Sequence, residues 1–196
     1  MITIDEITIV IDGREVIYDY SEQIPAGSIT VIVGPNGCGK STLLAAIAGD
    51  IAPDKGTITI DEHHPILTSA HTLAGIRSMV VQNQSFVLGF TVRQVIEMAG
   101  ASAEVIKALE LTEIADRLVT TLSGGETQRV AIAQAIAQNA PVLLLDEPLA
   151  AQDVHSRSRI IQLLKDLAEK GKTIVVVAHS NETELSWADK VIKQFH

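Results

Sequence analysis

Ser28-Ile-Thr-Val-Ile-Val33 followed by Gly34-Pro-Asn-Gly-Cys-Gly39-Lys40-Ser41-Thr42 is the stretch whose reading decides the fold. Its first part is short, β-branched and without alternation, the pattern of a strand buried on both faces. Gly34, Gly37 and Gly39 then break that strand, and Lys40 to Gly49 is Leu/Ala-rich and helical, with Gly49 placed as its C-terminal stop. A strand, a glycine loop and a helix thus follow one another without a spacer.

Gly34 to Ser41 fits the pattern G-x-x-x-x-G-K-[ST], and the flanking strand and helix supply the context a phosphate-binding loop requires. Glycines let consecutive backbone N–H groups converge on phosphate oxygens, and the following helix offers its positive N-terminal end. Pro35, Asn36 and Cys38 complete the loop, with Lys40 expected on the β- and γ-phosphates, Ser41 on Mg²⁺ and Thr42 on the α-phosphate.

Outward from this unit, residues 2 to 11 alternate apolar and polar, Asp12-Gly13 marks a hairpin turn, and Val16 to Tyr20 return. Thr57 to Ile60 and Ser78 to Val81 read as strands, with a loop from Glu62 to Ala74 between them. Thr91 to Leu122 is helical and looks like an inserted lobe. Residues 124 to 139 read as a helix, Val142 to Leu145 as an apolar strand, Val154 to Lys170 as a helix and Lys172 to Ala178 as a buried strand. Alternating strands and helices imply right-handed crossovers. The fold class is α/β: a mostly parallel sheet, an N-terminal antiparallel β subdomain and a small inserted helical lobe.

Composition agrees. Of 196 residues, 46% are hydrophobic and only 3% aromatic, so the interior must be built from Ile, Val, Leu and Ala. A net charge of −9 opposes a nucleic-acid partner bound by phosphate neutralisation. Most of the excess lies in residues 1 to 62, which hold ten acids and three bases. No apolar run approaches the length of a membrane span, no export signal opens the chain, and Cys38 is the single cysteine, so a cytoplasmic location is expected.

Two further segments carry chemistry. Asp146 and Glu147 follow Val142 to Leu145, at the carboxyl end of a buried strand, where ligands bind in open α/β sheets. Asp146 is placed to hold Mg²⁺ through water and Glu147 to polarise an attacking water, since phosphoryl transfer depends on positioning and charge stabilisation. Leu122-Ser-Gly-Gly-Glu-Thr-Gln128 puts a hydroxyl and two glycines at a helix start, a second phosphate site. One triphosphate does not need two such sites in one chain. The second is therefore expected to serve a neighbour's nucleotide, in a dimer with two ATP molecules sandwiched between subunits.

At these residues the chain resembles the nucleotide-binding subunits of ABC transporters. Residues 34 to 42 are similar to their Walker A motif, 122 to 128 to the LSGGQ signature, 142 to 147 to Walker B, Gln82 to the Q-loop glutamine and His179 to the switch histidine. The resemblance implies one ABC-type ATPase domain over residues 1 to 196, with a RecA-like and β core at 1 to 82 and 123 to 196 and the lobe at about 83 to 122. It implies ATP and Mg²⁺ as cofactors, the Mg²⁺ held by Ser41, Gln82 and Asp146. Glu147, His179 and Gln82 would serve hydrolysis, and Ser123, Gly124, Gly125 and Gln128 a partner's nucleotide.

Departures qualify the match. The aromatic residue usual beneath adenine falls at Ile11, with Val16 on the return strand, so stacking is replaced by an aliphatic contact at best, and weak base selectivity or modest ATP affinity is expected. The segment after Walker B has Gln152 where leucine is usual, although the D-loop Asp153 remains, and Ser180 follows His179 where aspartate is common. Ser85 to Phe90 is expected to meet a membrane subunit or, alternatively, to be core of the lobe. The short lobe and an end soon after Val191-Ile192 imply a minimal motor whose specificity comes from other chains. The phosphate loop, Phe90-Thr-Val-Arg-Gln-Val-Ile96 and Ile114-Ala-Asp-Arg117 look most like importers of iron-siderophore, haem or cobalamin type, with an ABC exporter ATPase or a regulatory ABC protein as alternatives. Polytopic permease subunits, a paired ABC subunit or second copy, and an extracytoplasmic binding protein are the implied partners, with the chain peripheral on the inner membrane face and no nucleic acid.

Overall fold

Isoleucine, valine and leucine at alternate positions of the central strands divide the interior into two cores. The structure, a computed structural model, describes residues 1–82, 84–87, 89–101, 103–150, 152–178 and 185–193. In chain order its elements are β1 (Ile2–Ile11), β2 (Arg14–Ile24), β3 (Ile29–Val33), α1 (Lys40–Ala48), β4 (Lys55–Ile60), α2 (Ala70–Ile76), β5 (Arg77–Val80), α3 (Val92–Ala99), α4 (Ala103–Ala108), α5 (Gly124–Ala137), β6 (Val142–Asp146), α6 (Val154–Glu169), β7 (Thr173–Ala178) and β8 (Lys190–Ile192). β5, β6, β7, β3 and β8 lie side by side in that order as a five-stranded parallel sheet, and β2, β1 and β4 form a three-stranded antiparallel sheet.

Ile29, Val31 and Val33 of β3 face one side together with Leu143, Leu145, Ile174 and Val176, against α5, α6 and the helices between β5 and α5. Ile32, Val142, Leu144, Val175 and Val177 face the other side, against α1 and the isoleucines of the antiparallel sheet. Both faces are therefore apolar, which is why these strands lack alternation in sequence. Each such side chain contributes about 1.5–3 kcal/mol when taken out of water. The sheet leaves its strand ends as the place for polar chemistry.

Local signals explain the boundaries. Asp12 and Gly13, at φ 51° and 75°, make the two-residue turn between β1 and β2, where the positive φ values match the right-handed strand twist. Gly49 ends α1 in the left-handed region, its N–H donating to the carbonyls of Ala45 and Ala46. The expected loop from Glu62 to Ala74 is more ordered than its sequence suggests. It contains a 3-10 turn at Pro65–Leu67, and α2 starts at Ala70 because the Ser69 hydroxyl accepts from the Thr72 N–H. The helical stretch from Thr91 to Leu122 is broken into α3, α4 and 3-10 turns at Thr112–Ile114 and Val119–Thr121. Backbone bonds from Val92 N–H to Arg117 and from Arg93 N–H to Ala115, 3.0 and 2.8 Å, tie its two ends together.

Thr30 is a polar residue in the middle of β3, fully buried, and its hydroxyl has no hydrogen-bond partner among the described residues. An unsatisfied buried hydroxyl costs about 1–3 kcal/mol. Thr30→Val, which keeps the branched shape, should therefore raise the free energy of unfolding in urea by about 1 kcal/mol. Leu144→Ala on the same face of the sheet should lower it by about 3 kcal/mol. A Thr30→Val protein less stable than the parent would show that the hydroxyl is satisfied.

Candidate functional site

Parallel pairing sends the carboxyl ends of β3, β5 and β6 to one edge of the sheet. The segments that follow them, Gly34 to Ser41, Gln82 and Asp146-Glu147, therefore meet there. A cleft of about 920 Å³ opens at this edge. Asn36, Lys40, Ser41 and Thr42 line it with Gln82 and Glu147, and the hairpin residues Ile11, Asp12, Arg14 and Val16 line its other end.

The glycine loop is shaped by what a side chain would strike. A Cβ on Gly34 would lie 2.8 Å from the Cys38 sulfur, and one on Gly39, at φ 98°, would lie 3.1 Å from Val16. Gly39 is also the N-cap of α1, so no side chain caps this helix. Ser69, Thr91, Ser123 and Asp153 cap α2, α3, α5 and α6 through their side-chain oxygens. The first N–H groups of α1 are thus left to an incoming anion. Lys40, only 6% exposed, folds back and donates to the carbonyls of Gly34 and Pro35, both at 2.9 Å. These are neutral acceptors, and a phosphate offers the same ammonium a stronger charge-assisted bond. Pro35, Asn36, Gly37 and Ser41 are exposed, and Thr42 and Cys38 half-buried.

Next in sequence to the cleft residue Glu147, Asp146 is buried at the end of β6. Glu147 continues the ladder for one residue, its N–H donating to Val177 at 3.0 Å, and then turns through φ 51°. Its Oε2 accepts from the Gln82 amide at 2.7 Å. That bond orients the carboxylate and leaves the amide oxygen of Gln82 for another ligand. The Ser41 hydroxyl and Gln82 carbonyl, which line the cleft, and the Asp146 carboxylate beside it are hard-oxygen donors, a chemistry that would suit Mg²⁺ beside phosphate. His179 and Ser180 lie outside the described residues.

The other expected residues are placed elsewhere. Ser123, Gly124, Gly125, Gln128 and Asp153 do not line this cleft. Ser123 caps α5 in a reciprocal capping box: its hydroxyl accepts from the Glu126 N–H, and its own N–H donates to Glu126 at 2.7 Å. Hydrogen bonds from Ser123 backbone and hydroxyl, then the Arg117 guanidinium at 3.0 Å, hold the Glu126 carboxyl below the usual range. Gly124 and Gly125 remain at the exposed start of the helix. Gln128 is a correction to the expectation. One turn further on it is 6% exposed and lies in the interior, so it does not share the surface of Ser123 and Gly124. Asp153 caps α6, accepting from the N–H groups of His155 and Ser156 and from the Ser156 hydroxyl at 2.7 Å, which lowers its carboxyl to about 2. Gln152 is buried and spans two elements, donating to the Gly125 carbonyl at 3.1 Å and accepting from Arg129 at 3.3 Å.

Sequence reasoning passed over Asp12 and Arg14 as cleft residues and Glu126 as a fixed carboxylate. The second was legible, because Ser123-x-x-Glu126 before an apolar run is the capping-box pattern.

Comparison with known proteins places this geometry in a family. A family model described as ABC transporter matches residues 17–150. The hemin import ATP-binding protein HmuV of Rhodococcus jostii (strain RHA1) is 37% identical over 202 residues, covering 96% of this chain and 69% of that protein. The cobalamin import ATP-binding protein BtuD of Halobacterium salinarum (strain ATCC 29341 / DSM 671 / R1) is 39% identical over 197 residues, covering 92% of this chain and 49% of that protein. Among solved structures, the ATP-binding cassette MJ0796, a dimer in a post-hydrolysis state bound to ADP and Pi, superimposes with a TM-score of 0.86 at 27% identity, over 100% of this chain and 94% of its own. With a glycine loop, an uncapped helix start and a paired carboxylate at one sheet edge, this chain belongs to the ABC transporter family, as an ATP-binding and ATP-hydrolysing subunit.

Proposed function

We propose that the chain is the motor of an importer for a metal chelate, haem or cobalamin-type cargo, working as an ATP-closed dimer beneath polytopic permease subunits. The observation that carries the motor reading is the 2.7 Å bond between Gln82 and Glu147 at the mouth of an uncapped helix start. It sets an oriented carboxylate opposite a phosphate site.

When a nucleotide enters, Lys40 exchanges its two carbonyl acceptors for β- and γ-phosphate oxygens, and the free N–H groups of α1 and the loop receive the rest. Ser41, Asp146 and Gln82 would hold Mg²⁺, which would neutralise charge on the phosphates. Glu147 takes a proton from the attacking water as its oxygen bonds to the γ-phosphorus and the bond to the bridging oxygen breaks. Gln82 keeps the carboxylate aimed; His179, outside the described residues, is the remaining residue assigned to hydrolysis. Ser123, Gly124 and Gly125 at the start of α5 meet a second copy's nucleotide, with Asp153 beside the same interface.

Import, rather than the export alternative, is supported by the relatives' names and by the two runs that look most importer-like, which touch each other here. Phe90 to Ile96 and Ile114 to Arg117 are joined by the backbone bonds of Val92 and Arg93 and by an Arg93–Asp116 ion pair at 3.2 Å. Val81, Val87 and Phe90 are exposed apolar residues close to Gln82 in sequence, suited to a permease segment. Residues 83 to 122 then form the lobe that receives the permease, and 1 to 82 with 123 to 196 the core. No helix among the described residues is long and apolar enough to cross a membrane, so attachment to the cytoplasmic face falls to the permease. An extracytoplasmic binding protein would deliver the cargo, and the acidic surface suits no nucleic acid.

Glu147→Gln should lower kcat for ATP hydrolysis at least about a hundredfold while ATP binding persists. With saturating ATP, the light-scattering mass of that variant should double. An unchanged mass would remove the sandwich dimer. Purification of tagged protein from membranes should recover a polytopic membrane protein, identified by mass spectrometry, with Glu147-dependent hydrolysis in the eluate. Recovery of soluble partners alone would overturn the transporter assignment.

A further inference from the structure

The hairpin end of the cleft carries an arginine that the hydrolytic mechanism does not use. β1 and β2 pair Ile9 with Ile17 but Val10 with Glu15, so the ladder slips at Val16. Such a bulge re-aims a side chain. Here Val16 bears on Gly39, at the first turn of α1. Nearer the turn, Arg14 pairs directly with Ile11, so their side chains share one face of the hairpin, and both line the cleft. A triphosphate seated with its terminal phosphates on Lys40 and Ser41 must leave the loop along this cleft. The opposite wall is Glu147 and Gln82, which face the terminal phosphate. The nucleoside therefore runs past Val16 toward Ile11 and Arg14.

None of the described residues lining the cleft is aromatic. Arg14 is exposed, and its guanidinium makes no hydrogen bond or ion pair among the described residues, so the guanidinium plane is available. Asp12 lines the same end and offsets its charge, which leaves the pair little net attraction for phosphate. A guanidinium is flat, weakly hydrated and stacks on π-faces, and such stacking tolerates any base.

We propose that Arg14 is the base-stacking residue of this site, covering the nucleobase with its guanidinium plane while Ile11 packs at its edge, so that adenine and guanine nucleoside triphosphates bind alike. The assignment rests on the nucleotide reading of the cleft. It replaces the aliphatic contact expected from Ile11 alone.

The test is calorimetric titration of the full chain with Mg²⁺ and ATP, GTP or inorganic tripolyphosphate, for the parent and for Arg14→Ala, Arg14→Lys and Arg14→Tyr. Arg14 is at an exposed hairpin end, where substitutions cost little stability, and thermal melts confirm that each variant is folded. ATP and GTP should bind the parent within about threefold of each other. Arg14→Ala should weaken both about tenfold and leave tripolyphosphate unchanged, since only the stack is lost. Arg14→Tyr should restore nucleotide affinity, and Arg14→Lys, a charge without a plane, should not. Unchanged ATP affinity in Arg14→Ala, equal losses for ATP and tripolyphosphate, full rescue by lysine, or a strong preference of the parent for ATP over GTP would each overturn the assignment. If the parent binds no ATP, or Lys40→Ala leaves ATP and tripolyphosphate affinity intact, the nucleotide reading of the cleft falls and takes this assignment with it.

Discussion

Everything at the working edge of this protein depends on parallel pairing through β7. Val33 is opposite Ala178 and Asp146 is opposite Val177, so β3 and β6 end almost flush on either side of one strand. That register places a glycine loop and a pair of carboxylates across a single strand width. Because both faces of the sheet are buried by apolar side chains, polar groups cannot be accommodated along its length without partners. They collect at the ends, and crossover connections put every carboxyl end on the same edge. The extra ladder bond from Glu147 to Val177 then extends β6 just far enough for the chain to turn at φ 51°. A carboxylate is held at the cleft by backbone geometry before any ligand arrives.

A helix start can be closed or left open, and this chain uses both. Ser69, Thr91, Ser123 and Asp153 spend side-chain oxygens on the first N–H groups of their helices, which stabilises each start. Gly39 has no side chain to offer and adopts a left-handed conformation that packs under Val16. The stability forgone at α1 is what makes the site receptive to an anion. Lys40 meanwhile stays buried with its ammonium satisfied by two carbonyls of the same loop, so the unliganded loop is not left with an unpaired buried charge.

What was legible in the sequence was local. The unalternating runs at Ile29 to Val33, Val142 to Leu145 and Ile174 to Val177 could only be strands covered on both faces, and Gly34 to Ser41 named its own chemistry from the strand before and the helix after. Less legible was whatever depended on helix phase or on contacts distant in sequence. Gln128 belongs to the motif by spacing, yet one turn into α5 it is covered by the elements packed around the helix, and only packing decides that. The Ser69-capped α2 has seven residues, too few for a periodic pattern to emerge from the histidine-rich stretch around it. Arg14 drew no reading of its own, because its place on the cleft depends on its direct pairing with Ile11 across the hairpin, and pairing leaves no compositional mark.

Gln152 shows how a departure from a family pattern can be read physically. An aliphatic side chain there would leave the Gly125 carbonyl and the Arg129 guanidinium without the partner that each finds in one amide. Gln152 instead links the first turn of α5 to the segment that follows Glu147, and Ser156 joins Asp153 at the start of α6, so two helix starts and the intervening loop are tied together by side chains. Buried polar networks of this kind favour one arrangement over others because breaking any member leaves the rest unsatisfied. The elements so fixed are ones that do not line their own cleft. Gln152 thereby does what leucine could not: it holds the start of α5 against the segment that follows Glu147.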